Sequence, residues 1–154
     1  MTGRTRTAAV IVLAMTATLG LSSCSHFVLL RDALTASEHN DLGVAYESSG
    51  QTALAAREYA RSLRLDPHQS LTWVNRGNTE AAGGRWRAAE KSYRRALVES
   101  PANSDAKNNL ATALLRQRRH LAEARTLAEA AVAAGGERDS IYRATLEEVT
   151  REGR

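Results

Sequence analysis

Few residues in this chain have the types and the spacing that chemistry requires. Cys24 is the only cysteine, so neither a disulfide nor a thiolate metal cluster can form within one chain. Ser104 and Lys107 have the spacing of a serine nucleophile and its lysine base, but no companion motif accompanies them. The four histidines lack the spacing of metal ligands; they are His26, His39, His68 and His120. The sequence therefore predicts neither catalytic residues nor a metal site.

Cys24 itself stands at the end of an apolar stretch. Arg4 and Arg6 precede an uncharged run of 14 residues, 8–21, which is followed by two serines and then Cys24. A helix needs about 20 apolar residues to span a bilayer, so this run is short for a membrane helix. Its length and its basic flank are typical of a secretory signal sequence.

Residues 21–24, Leu-Ser-Ser-Cys, resemble the bacterial lipobox. The resemblance implies that a diacylglycerol is attached to the Cys24 sulfur, that cleavage occurs just before Cys24, and that the new N-terminus is acylated. It predicts a lipoprotein signal peptide over 1–23 and a lipidated tether over 24–35, with no cofactor besides the fatty chains. Because Ser25 rather than Asp follows the cysteine, it also implies a location in the cell envelope, on the periplasmic face of the outer membrane. The alternative is an ordinary signal peptide, or an uncleaved anchor, with a chance cysteine.

The composition is that of a folded helical chain. Hydrophobic residues make up 43% and charged residues 25%, while aromatic residues are only 5%. Alanine and leucine dominate, which favours close-packed helices over a β-sheet core. The net charge of +4 includes Arg4 and Arg6, and it would fall to +2 if the signal peptide were removed. Nucleic-acid binding needs a concentrated basic face, so we expect no nucleic-acid partner.

The chain repeats itself with a period of 34 residues. Both of its prolines obey this period, and so do two pairs of glycines and one pair of tyrosines. The pairs are Gly43 and Gly77, Gly50 and Gly84, Tyr59 and Tyr93, and Pro67 and Pro101. A residue that precedes proline avoids helical dihedrals, so each proline is expected to end a helix. Such a period indicates an array of stacked helical units.

This period and punctuation resemble the tetratricopeptide repeat, or TPR. The resemblance implies an all-α fold, a right-handed superhelix of antiparallel helix hairpins, over most of the chain. We place repeats at 36–69, 70–103 and 104–138, the third being degenerate, with one residue inserted near 118–120. The last segment, 139–154, is expected to be a capping helix or a truncated fourth repeat.

Repeat 2 departs from the pattern in its first helix. Arg76 and Glu80 stand where Leu and Tyr are usual, at a spacing that allows them to pair. We therefore expect this helix to be less well buried than its counterpart in repeat 1. Gly43 and Gly77 are expected to let helix backbones approach closely. Gly50 and Gly84 are expected to end the first helices in the left-handed conformation.

In TPR arrays the first helix of each repeat lines a concave groove. By repeat alignment the candidate groove residues are Asn40, Asp41, Val44, Asn75, Asn78, Asn108, Asn109, Thr112 and Arg116. Five are asparagines, although asparagine is a mediocre helix former, and an amide can both donate to and accept from a peptide group. Asn75 and Asn109, one repeat apart, resemble the backbone-gripping asparagines of peptide-binding TPR grooves. The alternative is that these amides are solvated or bond between neighbouring helices.

The resemblance predicts a non-enzymatic adaptor in the bacterial cell envelope. It would be tethered to the membrane by lipid and would bind a peptide segment of a protein partner in the groove. The alternative is an accessory module of an envelope peptidase, pilus or secretion system. The two-carboxylate clamp of chaperone-binding TPR domains is not supported, because Lys107 and Arg116 do not occupy its positions. Basic clusters around 85–95 and 116–119 are interpreted as solvated faces or as contacts to anionic lipid.

Overall fold

The computed structural model describes residues 33–153, which form seven α-helices. In chain order these are α1 Ala36–Ser48, α2 Thr52–Leu65, α3 Ser70–Ala82, α4 Trp86–Glu99, α5 Ser104–Arg116, α6 Leu121–Ala134 and α7 Asp139–Glu152. Successive helices pair as three antiparallel hairpins, and α7 packs on the last of them. The predicted all-α fold of stacked hairpins is confirmed. The predicted signal peptide, Cys24 and most of the tether lie outside the described residues.

The helix boundaries follow from local sequence. Thr35 caps α1, since its hydroxyl accepts a hydrogen bond from Glu38 while the Glu38 carboxylate accepts one from the Thr35 backbone. The helices α2 and α4 end at Leu65 and Glu99, and the residues before the two prolines have left the helical region. Gly50 and Gly84 follow the first helices with φ of 76° and 71°, as predicted.

Each of the first two hairpins is closed by a tyrosine that lies on a glycine. A Cβ built on Gly43 would lie 2.5 Å from Cε1 of Tyr59, and one built on Gly77 would collide with Tyr93 in the same way. Tyr59 and Tyr93 are almost fully buried. The glycines are therefore needed to seat an aromatic ring against the helix. This differs from the predicted close approach of two backbones, because the ring of the second helix fills the space.

The hydrophobic core runs through the second and third hairpins and reaches α7. Its buried members come from α4, α5, α6 and α7, and they include Tyr93, Leu110, Leu114, Ala128 and Val149. In α6 the buried face consists of alanines, which allow the helices to pack closely. The extra residue predicted near 118–120 is absorbed in the turn before α6, where Arg118 and His120 both have φ of 50°.

The expectation that the first helix of repeat 2 is poorly buried is wrong. Five residues of α3 are buried, compared with three of α1, and Glu80 itself is only 8% exposed. The predicted pair with Arg76 does form, at 3.0 Å, and Ser92 donates a second hydrogen bond to Glu80. The physical reason is position, because α3 lies between α1 and α5 and is covered by its own partner α4. Glu80 is therefore buried, and its carboxylate is satisfied by Ser92 and by the partly exposed Arg76.

The described part of the chain contains no candidate membrane span and no candidate metal site. None of the helices within residues 33–153 is long and apolar enough to cross a membrane. Within the same residues, no group of three or more His, Cys, Asp or Glu side chains is placed to hold a metal ion. His39 is buried, and its Nδ1 lies 2.7 Å from Oε2 of Glu58, so it has the packing role that its helix face predicts.

Candidate peptide groove

The nine candidate residues lie on α1, α3 and α5, the first helices of the three hairpins. These helices are neighbours, since α3 contacts α1 on one side and α5 on the other. Asp41, Val44, Asn78 and Arg116 are exposed, and Asn75, Asn109 and Thr112 are half-buried. Asn40 and Asn108 are instead buried, each with 5% exposure. The fold therefore brings the set into one strip, but two of its members do not face solvent.

Asn40 joins the first hairpin to the second. Its Oδ1 accepts hydrogen bonds from Thr72 at 3.1 Å and from Nδ2 of Asn75 at 3.0 Å. Its Nδ2 donates to Asp41 at 3.2 Å. Asn40 thus uses both ends of its amide inside the protein, as a buried polar group must. The side-chain carbonyl of Asn75 remains available as an acceptor, because its Oδ1 accepts no hydrogen bond within residues 33–153.

Asn78 and Asn109 form a second junction, between the second and third hairpins. Oδ1 of Asn78 accepts from the Tyr93 hydroxyl at 2.9 Å and from Nδ2 of Asn109 at 2.9 Å. Burial, followed by the charges of Glu80 and Glu47, raises the pKa of Tyr93, so its hydroxyl stays protonated and donates. The amide nitrogen of Asn78 makes no hydrogen bond in the described part of the chain. Because Asn78 is exposed, this donor is available to a ligand.

Asn108 occupies the place in α5 that Asn40 occupies in α1, but its partners differ. Its Nδ2 lies 3.4 Å from Oδ1 of Asn109, and its buried Oδ1 has no partner among the described residues. The following helix, α7, supplies no donor to match Thr72 and Asn75. Asn108 is therefore an incompletely satisfied buried amide and not a residue that a groove ligand can reach.

Glu47 is a residue of this network that the sequence interpretation missed. Its two carboxylate oxygens accept from the Tyr59 hydroxyl at 2.9 Å and from Thr79 at 3.0 Å, so it links the first hairpin to the second. Burial raises the pKa of Tyr59, and the hydrogen bond to Glu47 raises it further. Repeat alignment gave no signal, since the residue 34 positions later is Ala81.

A pocket of about 270 Å³ opens where α3 meets α5. Its lining combines an apolar base with amide edges and consists of Asn78, Ala81, Ala82, Trp86, Tyr93, Asn109 and Thr112. Trp86 also packs against the core. The pocket is large enough for one side chain of a ligand, while the free donor of Asn78 lies at its edge. The lining therefore offers amide and hydroxyl groups beside apolar side chains.

The charges of the strip are separated along its length. Asp41 lies on α1 at one side, and Arg116 lies on α5 at the other, where it approaches Glu148 of α7 at 3.6 Å. This long ion pair is partly exposed, so it contributes little to stability. The strip is therefore acidic on the first hairpin and basic on the third.

Comparison with known proteins identifies the repeat. The tetratricopeptide repeat profile matches residues 74–139, whereas no curated protein sequence matches the chain significantly. The first TPR domain of Spaghetti (RPAP3), bound to an HSP90 peptide, is 17% identical with a TM-score of 0.71, over 76% of this chain and 91% of that chain. The second TPR domain of human RPAP3, with an HSP70 peptide, is 21% identical with a TM-score of 0.67, over 75% and 94%.

A third TPR structure is also similar to this chain. The TPR domain of Sgt2 from Aspergillus fumigatus is 21% identical with a TM-score of 0.68, over 76% of this chain and 78% of that chain. At these identities the likeness concerns the fold alone. Together with the matched profile, it leads to one conclusion: residues 74–139 match the tetratricopeptide repeat profile, and the described chain has the fold of a TPR domain.

Proposed function

We propose that this protein is a non-enzymatic adaptor that binds an extended peptide segment of a partner protein along the strip formed by α1, α3 and α5. The observation that carries the proposal is the open pocket between α3 and α5, at whose edge the amide of Asn78 keeps an unused donor. The free carbonyl of Asn75 offers an acceptor on the same face. A donor and an acceptor on one strip match the two polar groups of a peptide unit.

The peptide should be bound mainly through its backbone. Two of the similar TPR structures are described as complexes with peptides that end in Glu-Glu-Val-Asp, which are acidic. In this chain the strip is lined by amides, and Arg116 is the one cation among the nine candidate residues. We therefore expect a largely uncharged segment with at most one acidic residue, placed near Arg116, and an apolar side chain in the pocket.

Ala82 allows this groove to be blocked without breaking a hydrogen bond. It is exposed at the end of α3 and lines the pocket. Peptides selected from a random display library on the purified chain should bind Ala82→Arg about tenfold more weakly or worse, since the new side chain fills the pocket. The matched control is Ala60→Arg on the exposed face of α2, which adds the same charge and should leave affinity unchanged. Equal affinity for both variants would rule out the groove.

We further propose that Cys24 carries the lipid that holds this adaptor at the cell envelope. The support is the lipobox-like sequence 21–24 after its short apolar run, and two acyl chains suffice for stable anchoring. Cys24→Ala should abolish both acylation and cleavage before residue 24, which mass spectrometry of the membrane fraction can measure. A Cys24→Ala product that still sediments with membranes after cleavage at the same bond would contradict the proposal.

A further inference from the structure

The second hairpin contains a larger pocket on a different face from the groove. The pocket has a volume of about 550 Å³ and lies between α3 and α4. It shares no lining residue with the peptide strip. On α3, for example, Trp73 lines the pocket while Asn75 faces the strip, and two positions are about 200° apart around a helix. A ligand here would therefore not compete with a peptide in the groove.

Positive charge dominates this pocket. Its lining includes four cations, Arg76, Arg87, Lys91 and Arg95, and the only carboxylate among its lining residues is Glu80. Glu80 is buried and already occupied, since it accepts hydrogen bonds from Arg76 at 3.0 Å and from Ser92 at 2.6 Å. Its charge is thus cancelled within the protein and does not repel an anion.

Two of the cations are held in place by an aromatic ring. The guanidinium carbons of Arg76 and Arg95 lie 5.5 Å and 5.6 Å from the centroid of Trp73, within the range of cation–π contacts. The indole N–H of Trp73 donates to the Pro67 carbonyl at 2.8 Å, which fixes the ring. Arg95 also pairs with Glu99 at 3.2 Å. These contacts orient two guanidinium groups before any ligand arrives.

The other two cations have no partner. Arg87 and Lys91 are exposed on α4 and make no ion pair or side-chain hydrogen bond within residues 33–153. Glu80 balances the charge of Arg76, and Glu99 balances that of Arg95. The charges of Arg87 and Lys91 remain uncompensated, which leaves a net charge of about +2 at the pocket. Arg76 and Glu80, which stand where Leu and Tyr are usual in a TPR, both line this cavity.

We infer that this pocket is a binding site for a phosphate group. The planar forks of oriented arginines match phosphate oxygens, and the two uncompensated cations match the charge of a dianion. The volume leaves room for the group that carries the phosphate. That group can be a soluble phosphorylated compound or the headgroup of an anionic phospholipid, and the experiment separates the two.

The test compares the full chain with Arg87→Ala/Lys91→Ala. The matched control is Arg57→Ala/Arg64→Ala, which removes the same charge from exposed positions of α2 where neither arginine has a partner among the described residues. Calorimetric titration at constant ionic strength uses pyrophosphate as the soluble probe, with sodium chloride as the reference. We expect saturable binding to the parent and the control, and about tenfold weaker binding or none to Arg87→Ala/Lys91→Ala.

A second arm measures sedimentation with vesicles of phosphatidylglycerol and of phosphatidylcholine. A preference for phosphatidylglycerol that Arg87→Ala/Lys91→Ala alone loses identifies a lipid headgroup as the source of the phosphate. Pyrophosphate binding without such a preference identifies a soluble ligand. Absence of both, or an equal loss in Arg57→Ala/Arg64→Ala, overturns the site, because general charge attraction then explains any binding. Circular dichroism of each variant establishes that it is folded.

Discussion

The contact between Gly77 and Tyr93 allows a quantitative test of how the hairpins close. A methyl group added by Gly77→Ala would lie 2.7 Å from Cδ1 and 2.9 Å from Cζ of Tyr93. The ring has little freedom to retreat, because Tyr93 is 2% exposed and its hydroxyl is bonded to Asn78. Restoring an ordinary carbon–carbon separation requires a displacement of roughly 1 Å, so the substitution overpacks the hairpin.

Two effects of opposite sign set the size of the change. Alanine is about 1 kcal/mol better than glycine in a helix interior, and residue 77 lies in the middle of α3. Overpacking of a buried site costs about 1–3 kcal/mol. Since the ring is anchored at both its face and its hydroxyl, we place the steric cost in the upper half of that range. We therefore expect Gly77→Ala to lower the free energy of unfolding by about 1–2 kcal/mol.

Urea unfolding followed by circular dichroism measures this change, and two controls isolate its cause. Gly83→Ala also adds a methyl group, but the atom it meets within 3 Å is the guanidinium tip of exposed Arg85, so stability should hardly change. In a Tyr93→Leu background the ring atoms are gone, and Gly77→Ala should no longer destabilise. An unchanged cost in that background, or a stable Gly77→Ala protein, would refute the steric explanation.

Two further substitutions test the contacts between hairpins. Asn78→Ala leaves the buried Tyr93 hydroxyl and the Asn109 amide without their shared acceptor, so urea unfolding should show a loss of about 1–3 kcal/mol; a loss no larger than that of Ala82→Gly would contradict the junction. Arg94 of α4 donates to both oxygens of Glu123 in α6, at 2.6 and 2.9 Å, and this lowers the pKa of the Glu123 carboxyl from its ordinary 4.5. Because the folded-state pKa is lowered, ionised Glu123 stabilises the folded protein above pH 4.5, and this stabilisation is lost as the pH falls through the folded-state pKa. The parent should therefore lose stability in acid more steeply than Glu123→Gln. The difference should be less than about 1 kcal/mol, because the pair is partly exposed. Identical pH profiles of the two proteins would show that the pair does not contribute.

Repeat-level features were predictable because they depend on local sequence. Gly50 and Gly84 end helices through backbone conformation alone, and the prolines act on the residues just before them. Tyr59 and Tyr93 were identified by their period. The burial of α3 was not predicted, since Arg76 and Glu80 look like surface residues until Ser92 is brought to the carboxylate by the fold.

The hydrogen-bond partners of the candidate groove residues could not be predicted from the sequence. Sequence placed the candidate residues on the first helices, and the structure confirms that these helices are neighbours. The sequence left open whether these amides bond between neighbouring helices, and it did not identify Thr72 and Asn75 as partners of Asn40, or Asn109 as the partner of Asn78. These partners lie more than 30 positions apart, and even the equivalent residues Asn40 and Asn108 have different partners.

The sequence by itself determined the fold of stacked helix hairpins, its period and the helix ends marked by Gly50, Gly84 and the two prolines, because glycine and proline act on the backbone beside them. Only the tertiary structure decided which amides remain free to bind a ligand and which cations gather around Trp73. Those properties depend on hydrogen bonds and ring contacts between helices, where the distance between two side chains is set by stacking and not by spacing along the chain.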